Sequence, residues 1–354
     1  MLKRVINTCG LLSRTVGLKA RHLALFLFIL INSRLAKGLS NKTRQVSEDP
    51  VFVIGHLRSS TTFIHRLLGK ADSLYGTKLD TMIFGAGSYH SVVDKLLGSK
   101  LKRVSLDKMY DPKIHKTGFD LLESDDIAFY FQDFGGLLYW IYFQAWESFA
   151  NPKAIKKSIK KAIRSKRFLH DQRKHLARIC PPGKRLLSKS FFGIYHVDSI
   201  QSLYPSAKFL LLIRDPKEVI PSTLSLELSI QESLNNFSQQ PAELQRRYIS
   251  NLYEEVKIYY EQLDNVLSNS RADLAILHYE EVKEKFEISM GEITAFLGLE
   301  NDQGWHEAIR EQLAKQTEYK SKHKYSLDTY GISEDQIEED FTRYYLRFKD
   351  GSVS

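Results

Sequence analysis

The sequence predicts an α/β protein, a three-layer fold with a central, largely parallel sheet flanked by helices. Apolar segments of strand length recur near Val51, Arg185, Phe209 and Asp273, each followed by a run of helical periodicity. Two of these segments, the first and the third, lead into residues suited to gripping an anion, and open α/β sheets bind ligands beyond the carboxyl ends of their strands. A chain of 354 residues with 43% hydrophobic content is also ample for one large core.

Composition narrows the class of partner. A formal charge of +9 suits nucleotides, acidic acceptors, nucleic acid or an anionic membrane surface, without choosing among them. The two cysteines, Cys9 and Cys180, form no CxxC, and no His/Cys group has metal-ligand spacing, which argues against a disulfide framework or a structural zinc. No metal is expected.

Residues 1–48 read as a basic N-terminal extension with a short apolar helix. Lys3, Arg4, Arg14, Lys19 and Arg21 precede the apolar run Leu23 to Ile31, whose nine residues fall well short of the ~20 that a spanning helix needs. No A-x-A-like cleavage site follows. Packing against the domain is the first reading, peripheral membrane contact the second and a signal or anchor the third. Lys37 to Asp49 is a polar linker.

The stretch Val51 to Lys70, VFVIGHLRSSTTFIHRLLGK, reads as strand, phosphate-binding loop and helix. Helix N-termini carry unpaired N–H donors and partial positive charge, so such a turn can hold a phosphate, and Arg58 adds a planar two-pronged cation. Against the nucleotide motif GxxxxGK[ST], Ser60 and Thr61 occupy the Gly and Lys positions, which removes the lysine that a Mg-ATP reading requires. Ala71 to Gly118 reads as loops and short helices. The aromatic stretch Phe129 to Phe149 reads as core before pocket, and Lys153 to Arg178 as a basic amphipathic helix. No recognition motif accompanies that charge, so nucleic acid is not expected.

After Pro181-Pro182-Gly183, Arg185-Leu-Leu-Ser-Lys189-Ser forms a strand, Val197 to Leu203 a helix and Phe209 to Ile213 another strand. This last strand ends in Arg214-Asp215-Pro216-x-Glu218. Asp215 is placed to cap the next helix, Pro216 to start it and Glu218 to complete a capping box; Ser222 lies about two turns in. A long amphipathic helix over 241–267, a strand at Asp273 to His278 and a helix from Tyr279 to Gly298 follow. A final helix starts at Ser333 with Gln336 and runs from about Glu334 to Phe348, leaving 349–354 as a tail.

The letters Arg58-Ser59-Ser60-Thr61-Thr62 resemble the phosphosulfate loop of sulfotransferases, in the branch that writes it PRSGTT. SAKFLLLIRDPKEVIPSTLSL resembles the family's 3′-phosphate motif, LHYEEV to ITAFLGL its "YEDL … FLGL" segment, and Ser321-Lys322-His323-Lys324-Tyr325-Ser326-Leu327 its "GKHRYSLEDFGL" close. The resemblance covers about Val51 to Phe348 and implies a P-loop-like topology, a sulfotransferase-like domain over 49–348 and 3′-phosphoadenosine 5′-phosphosulfate as co-substrate without a metal. It further implies that the loop residues 58 to 62 hold the sulfate end and that Arg214 and Ser222 hold the 3′-phosphate. By the same resemblance Lys189 contacts the transferring group, Tyr279 lies beside the donor, and Lys322, His323 and Lys324 fold over its phosphates. An in-line displacement needs cations over the bridging and sulfuryl oxygens, and Arg58 and Lys189 are the catalytic candidates for them. Asp80 stands where the tyrosylprotein branch keeps a catalytic glutamate; His115 and Glu123 are rival general bases, alongside His90, Asp125 and Asp126.

The implied reaction moves a sulfuryl group to a hydroxyl or amine of a small-molecule, carbohydrate, lipid or peptide acceptor, in the cytoplasm or at its membrane. Acceptor identity and oligomeric state stay open. Three positions depart from the family text: Leu57 and Phe191 replace prolines and Ser60 replaces a glycine. They leave a donor-binding protein with little activity as a second reading, with a P-loop kinase and a ligand-free membrane-surface or scaffold protein behind it.

Overall fold

A computed structural model describes Phe28, Ile31, Asn32, Leu35 and residues 49–85, 88–101, 118–125, 180–316 and 327–349. The candidate residues His115, Asp126, Lys322, His323 and Lys324 lie outside these, as do the aromatic stretch 129–149 and the basic stretch 153–178.

The strands β1 (Val51–Gly55), β2 (Leu74–Gly76), β3 (Arg185–Ser190), β4 (Lys208–Ile213) and β5 (Asp273–His278) form one sheet in the order β2-β3-β1-β4-β5. β1 lies parallel to β3 and to β4, and β4 parallel to β5, with Ile54 opposite Ser190, Gly55 opposite Leu212 and Ile213 opposite His278. That register brings the carboxyl ends of four strands to one edge. The chain leaves β1 toward β3 and leaves β4 toward β5, so the reversal of direction, where open α/β sheets form a crevice, falls between β1 and β4.

Both faces of the sheet are covered, which is why its strands read as unbroken apolar runs rather than alternating ones. Val51, Val53, Leu187, Leu210 and Leu212 pack with Ile64, Leu67 and Leu68 of α1 (Thr61–Leu68) and with Met290, Ile293 and Trp305 further along. On the other side Phe52 stacks on Phe209, with ring centroids 5.4 Å apart, and meets Tyr204 at 6.2 Å.

The remaining helices follow the sequence reading closely, with informative differences. In the region read as loops and short helices stand α2 (Leu79–Phe84) and a fourteen-residue helix, α3 (Ser88–Leu101). Next come α4 (Val197–Leu203), α5 (Pro216–Asn235) and α6 (Ala242–Asn269). The helix expected from Tyr279 to Gly298 is two, α7 (Tyr279–Glu284) and α8 (Phe286–Leu297), broken at Lys285 (φ −125°, ψ 46°) and closed by Gly298 in the left-handed region. After α9 (Gln303–Gln316), the last helix is also divided, at Phe341, into α10 (Glu334–Asp340) and α11 (Thr342–Lys349). Ser333 caps α10 through the Gln336 N–H at 3.1 Å, as its sequence suggests.

Two compact units result. One comprises Glu48–Tyr75, Arg185–Ser225 and Leu252–Ser354; the other comprises Met1–Ser47, Gly76–Lys184 and Leu226–Asn251.

Candidate active site

The first unit carries every described residue expected to hold the donor. Gly55 ends β1 where there is no room for a side chain: a Cβ there would stand 2.5 Å from Thr61 Cγ2 and 2.8 Å from the Leu212 carbonyl. The chain turns at once, the Ser59 N–H donating to the His56 carbonyl at 3.2 Å, with Arg58 at φ 73°. A positive φ at the third residue of such a turn normally calls for glycine or asparagine. Ser60, the N-cap of α1, is also left-handed (φ 61°, ψ 14°), and its carbonyl accepts the Ile64 N–H at 3.1 Å. Two side-chain-bearing residues are thus held in a conformation that costs roughly 1–2 kcal/mol each. The loop wraps the N-terminus of α1, and Ser59 is buried, its Oγ without a hydrogen-bond partner among the described residues.

Three cations converge on this loop. Arg58 turns its Nε to Ser222 Oγ at 2.9 Å, and Ser222 is fully buried on the second turn of α5. Arg214, just past β4, donates through Nη1 to the Arg58 carbonyl at 2.8 Å. Lys189, 7% exposed on β3, donates through Nζ to Thr62 Oγ1 at 2.9 Å. Loop, strand end and helix are therefore fastened through the residues that the sequence nominates for anion binding.

Arg214 is itself held on several sides. Its Nε and Nη2 both donate to Glu218 Oε2, at 2.9 and 2.6 Å, and its guanidinium lies 4.1 Å from the centroid of the Tyr279 ring. The Tyr260 hydroxyl, which burial keeps protonated by pushing its pKa well above the usual phenol range, donates to the Arg214 carbonyl at 2.5 Å. Asp215 caps α5 through the Lys217 N–H at 2.8 Å and accepts the Tyr345 hydroxyl at 2.8 Å. The capping-box role expected of Glu218 is not what its carboxylate does. It pairs with Arg214, whose two N–H groups it accepts, and Glu280 takes the Asp215 N–H that a capping box would have given it. Glu280 lies against the Asp215 N–H; burial, and then the neighbouring Glu218, raise its pKa.

Two histidines near the loop are absent from the sequence-based set. His56 is buried against the Tyr259 ring at 4.9 Å and the Phe191 ring at 5.3 Å, with Nδ1 2.8 Å from the Leu57 carbonyl and Nε2 3.9 Å from Glu255 Oε2. Phe191, which stands in place of a proline, stacks on Tyr259 at 5.1 Å and so fills this core. His65 is fully buried on α1; burial first, then the nearby Lys189 charge, push its pKa well below the usual imidazole value. A His at helical spacing in an apolar run could have flagged His65, whereas His56 carries no local signal.

Asp80 and Glu123 belong to the second unit. Asp80 lies in the first turn of α2, its N–H bonded to the Phe119 carbonyl at 2.9 Å and its Oδ2 3.7 Å from His90 Nε2. Glu123 is buried, its N–H donating to the Thr77 carbonyl at 3.3 Å beside the bridge between Lys78 and Leu122. Asp125 is buried in the same segment.

A family model described as the sulfotransferase family matches residues 50–303. Among solved structures, the chain is similar to sulfotransferase STF9 from Mycobacterium avium, with a TM-score of 0.72 at 16% identity over 95% of this chain and 88% of that one. Sulfotransferase STF1 from Mycobacterium tuberculosis H37Rv gives a TM-score of 0.69 at 16% identity, over 95% and 91% of the two chains. At this identity the likeness is one of fold. No curated protein sequence matches the chain.

Proposed function

We propose that this chain, which belongs to the sulfotransferase family and so moves a sulfuryl group from a donor to an acceptor, takes 3′-phosphoadenosine 5′-phosphosulfate as its donor. The observation that carries this reading is the contact of Arg58 with Ser222 beside Arg214, which joins the loop after β1 to the strand end after β4. A donor with phosphate at one end and phosphosulfate at the other needs two anion-binding places at a fixed separation. The parallel register that aligns the ends of β1 and β4 supports such a pair.

In this reading Arg214 and Ser222 bind the 3′-phosphate, with Tyr279 and Glu218 holding the Arg214 guanidinium in plane. The N–H groups at the start of α1, with Ser59, Thr61 and Thr62, bind the 5′ end. Charge moves onto the bridging oxygen as the sulfuryl group departs, so a fixed cation there lowers the barrier more than it tightens binding. Lys189 fills that role, held toward the loop by Thr62. Arg58 links the two ends. A carboxylate or imidazole from Asp80, His115 or Glu123 removes the acceptor's proton. Lys322, His323 and Lys324 close over the donor phosphates.

Calorimetric titration with adenosine 3′,5′-bisphosphate, run beside ATP with Mg²⁺, tests the donor assignment. Binding of the bisphosphate alone supports it, and binding of Mg-ATP alone overturns it. Asp80→Asn and Glu123→Gln, assayed with labelled donor against an acceptor panel, then separate the general-base candidates.

A further inference from the structure

Charge is unevenly distributed along this chain. Residues 1–47 hold nine of its 51 lysines and arginines and none of its 42 aspartates and glutamates, so the rest carries 42 of each sign and the whole formal +9 belongs to this segment. Inside the segment runs the apolar stretch Leu23 to Ile31, with Lys19 and Arg21 before it and Arg34 and Lys37 after it.

The described part of that stretch is helical and lies in the second unit. Asn32 Nδ2 donates to the Phe28 carbonyl one turn back, at 2.7 Å, and accepts the Tyr89 hydroxyl of α3 on its Oδ1 at 2.6 Å. Phe28 meets Phe84 edge-on at 6.1 Å and, with Tyr89, packs against Leu79, Ile83, Val93 and Phe119. This packing leaves five large apolar side chains in solvent, beside the exposed Ser91, Asp94 and Lys95 of α3. Ile31 is 56% exposed, Leu35 48%, Val92 54%, Leu96 70% and Leu97 36%. Seven large apolar side chains are exposed among the described residues, and these two helical segments hold five of them. Ile31 with Leu35, and Val92 with Leu96, are i, i+4 pairs, so each presents one face.

We propose that these two helical segments form a membrane-docking face that sits in the surface of a bilayer containing anionic lipid. Apolar side chains flanked by lysine and arginine match an interface with negative headgroups above and acyl chains below, and basic residues beside it add electrostatic attraction. Nucleic acid would satisfy the charge but offers no apolar phase to Leu96. A second copy would bring an equal +9 against this one, and like charges oppose that contact. The proposed attachment is peripheral, because the apolar run Leu23 to Ile31 has nine residues, short of the ~20 that a spanning helix needs. This docking is independent of the donor assignment.

Sedimentation of the full-length chain with vesicles of phosphatidylcholine alone, and of phosphatidylcholine mixed with phosphatidylglycerol, tests the proposal. The chain is expected to pellet with the anionic vesicles, weakly with the neutral ones, and to be partly released by raised salt. The double variant V92D/L96D should lower the partition coefficient at least ~tenfold, the scale of losing one inserted apolar side chain. Circular dichroism melting shows whether that variant folds, and Ile31→Glu provides a second probe on the other segment. Binding to neither vesicle overturns the proposal, as does anionic binding that both variants leave unchanged. Equally decisive against it would be a vesicle-free dimer that the variants dissociate.

Discussion

The Nε of Arg58 donates to the Oγ of Ser222 at 2.9 Å, joining two residues 164 positions apart on the elements that follow β1 and β4. Arg214 strengthens the same junction from the other side by donating to the Arg58 carbonyl. Under the proposed donor assignment, replacing Arg214 by alanine removes a phosphate ligand together with a brace of the loop. Loss of one charge-assisted contact is worth about 1.5–3 kcal/mol, so affinity for adenosine 3′,5′-bisphosphate should fall ~10- to 100-fold by calorimetry. Ser222→Ala removes a neutral partner and should cost less. Unchanged affinity in the arginine variant would remove Arg214 from the phosphate site.

Lys189 should behave differently. It is nearly buried, and its ammonium is held to Thr62 at the first turn of α1 rather than to Arg214 or Ser222. If its charge matters when the bridging oxygen becomes negative, Lys189→Ala lowers kcat by about 10²–10³ while donor affinity changes only a few-fold. Steady-state kinetics beside calorimetry separate the two quantities. A variant that loses affinity and keeps kcat would make Lys189 a binding residue instead.

Strand ends and short helical spacings were readable in the sequence because their causes are local. Arg214 and Ser222 lie eight residues apart across one helix start, with Asp215 and Pro216 marking where that helix begins. Long-range fastening left no such trace. Nothing beside Arg58 announces Ser222, and nothing beside Phe191 announces the Tyr259 ring on which it stacks. Helix breaks at Lys285 and Phe341 escaped because neither position holds glycine or proline, the residues whose backbone chemistry signals a break. A local capping rule assigns the Glu218 carboxylate to a backbone N–H, and the arginine four residues earlier takes it instead.

Ser60 offers a test of the loop's conformation. Its left-handed φ of 61° is one that glycine adopts freely and serine does not. Ser60→Gly removes that cost, offset in part by the greater freedom of glycine in the unfolded chain, for a net gain of roughly 0.5–1 kcal/mol in denaturant unfolding. Ser60→Ala should show no such gain. A destabilised glycine variant would mean that the serine side chain makes a contact worth more than the strain.

His65 fixes the sign of one pH dependence. Burial first, and then the Lys189 charge, hold its folded-state pKa well below the ordinary value of about 6.5. Between those two pKa values the unfolded chain binds a proton that the folded chain refuses, so acid favours unfolding. The contribution is complete above pH ~6.5 and is lost as the pH falls below it, by up to about 1.4 kcal/mol per unit, until the folded-state pKa is reached. His65→Gln cannot take up that proton. Whatever the variant costs at neutral pH, its unfolding free energy should fall less steeply than that of the parent between pH ~6.5 and 5. Because the comparison is of slopes, titration of Glu280, Asp302 and the other carboxylates cancels between the two proteins. Equal slopes would show that His65 is protonated in the folded chain, which would set a second positive charge beside Lys189.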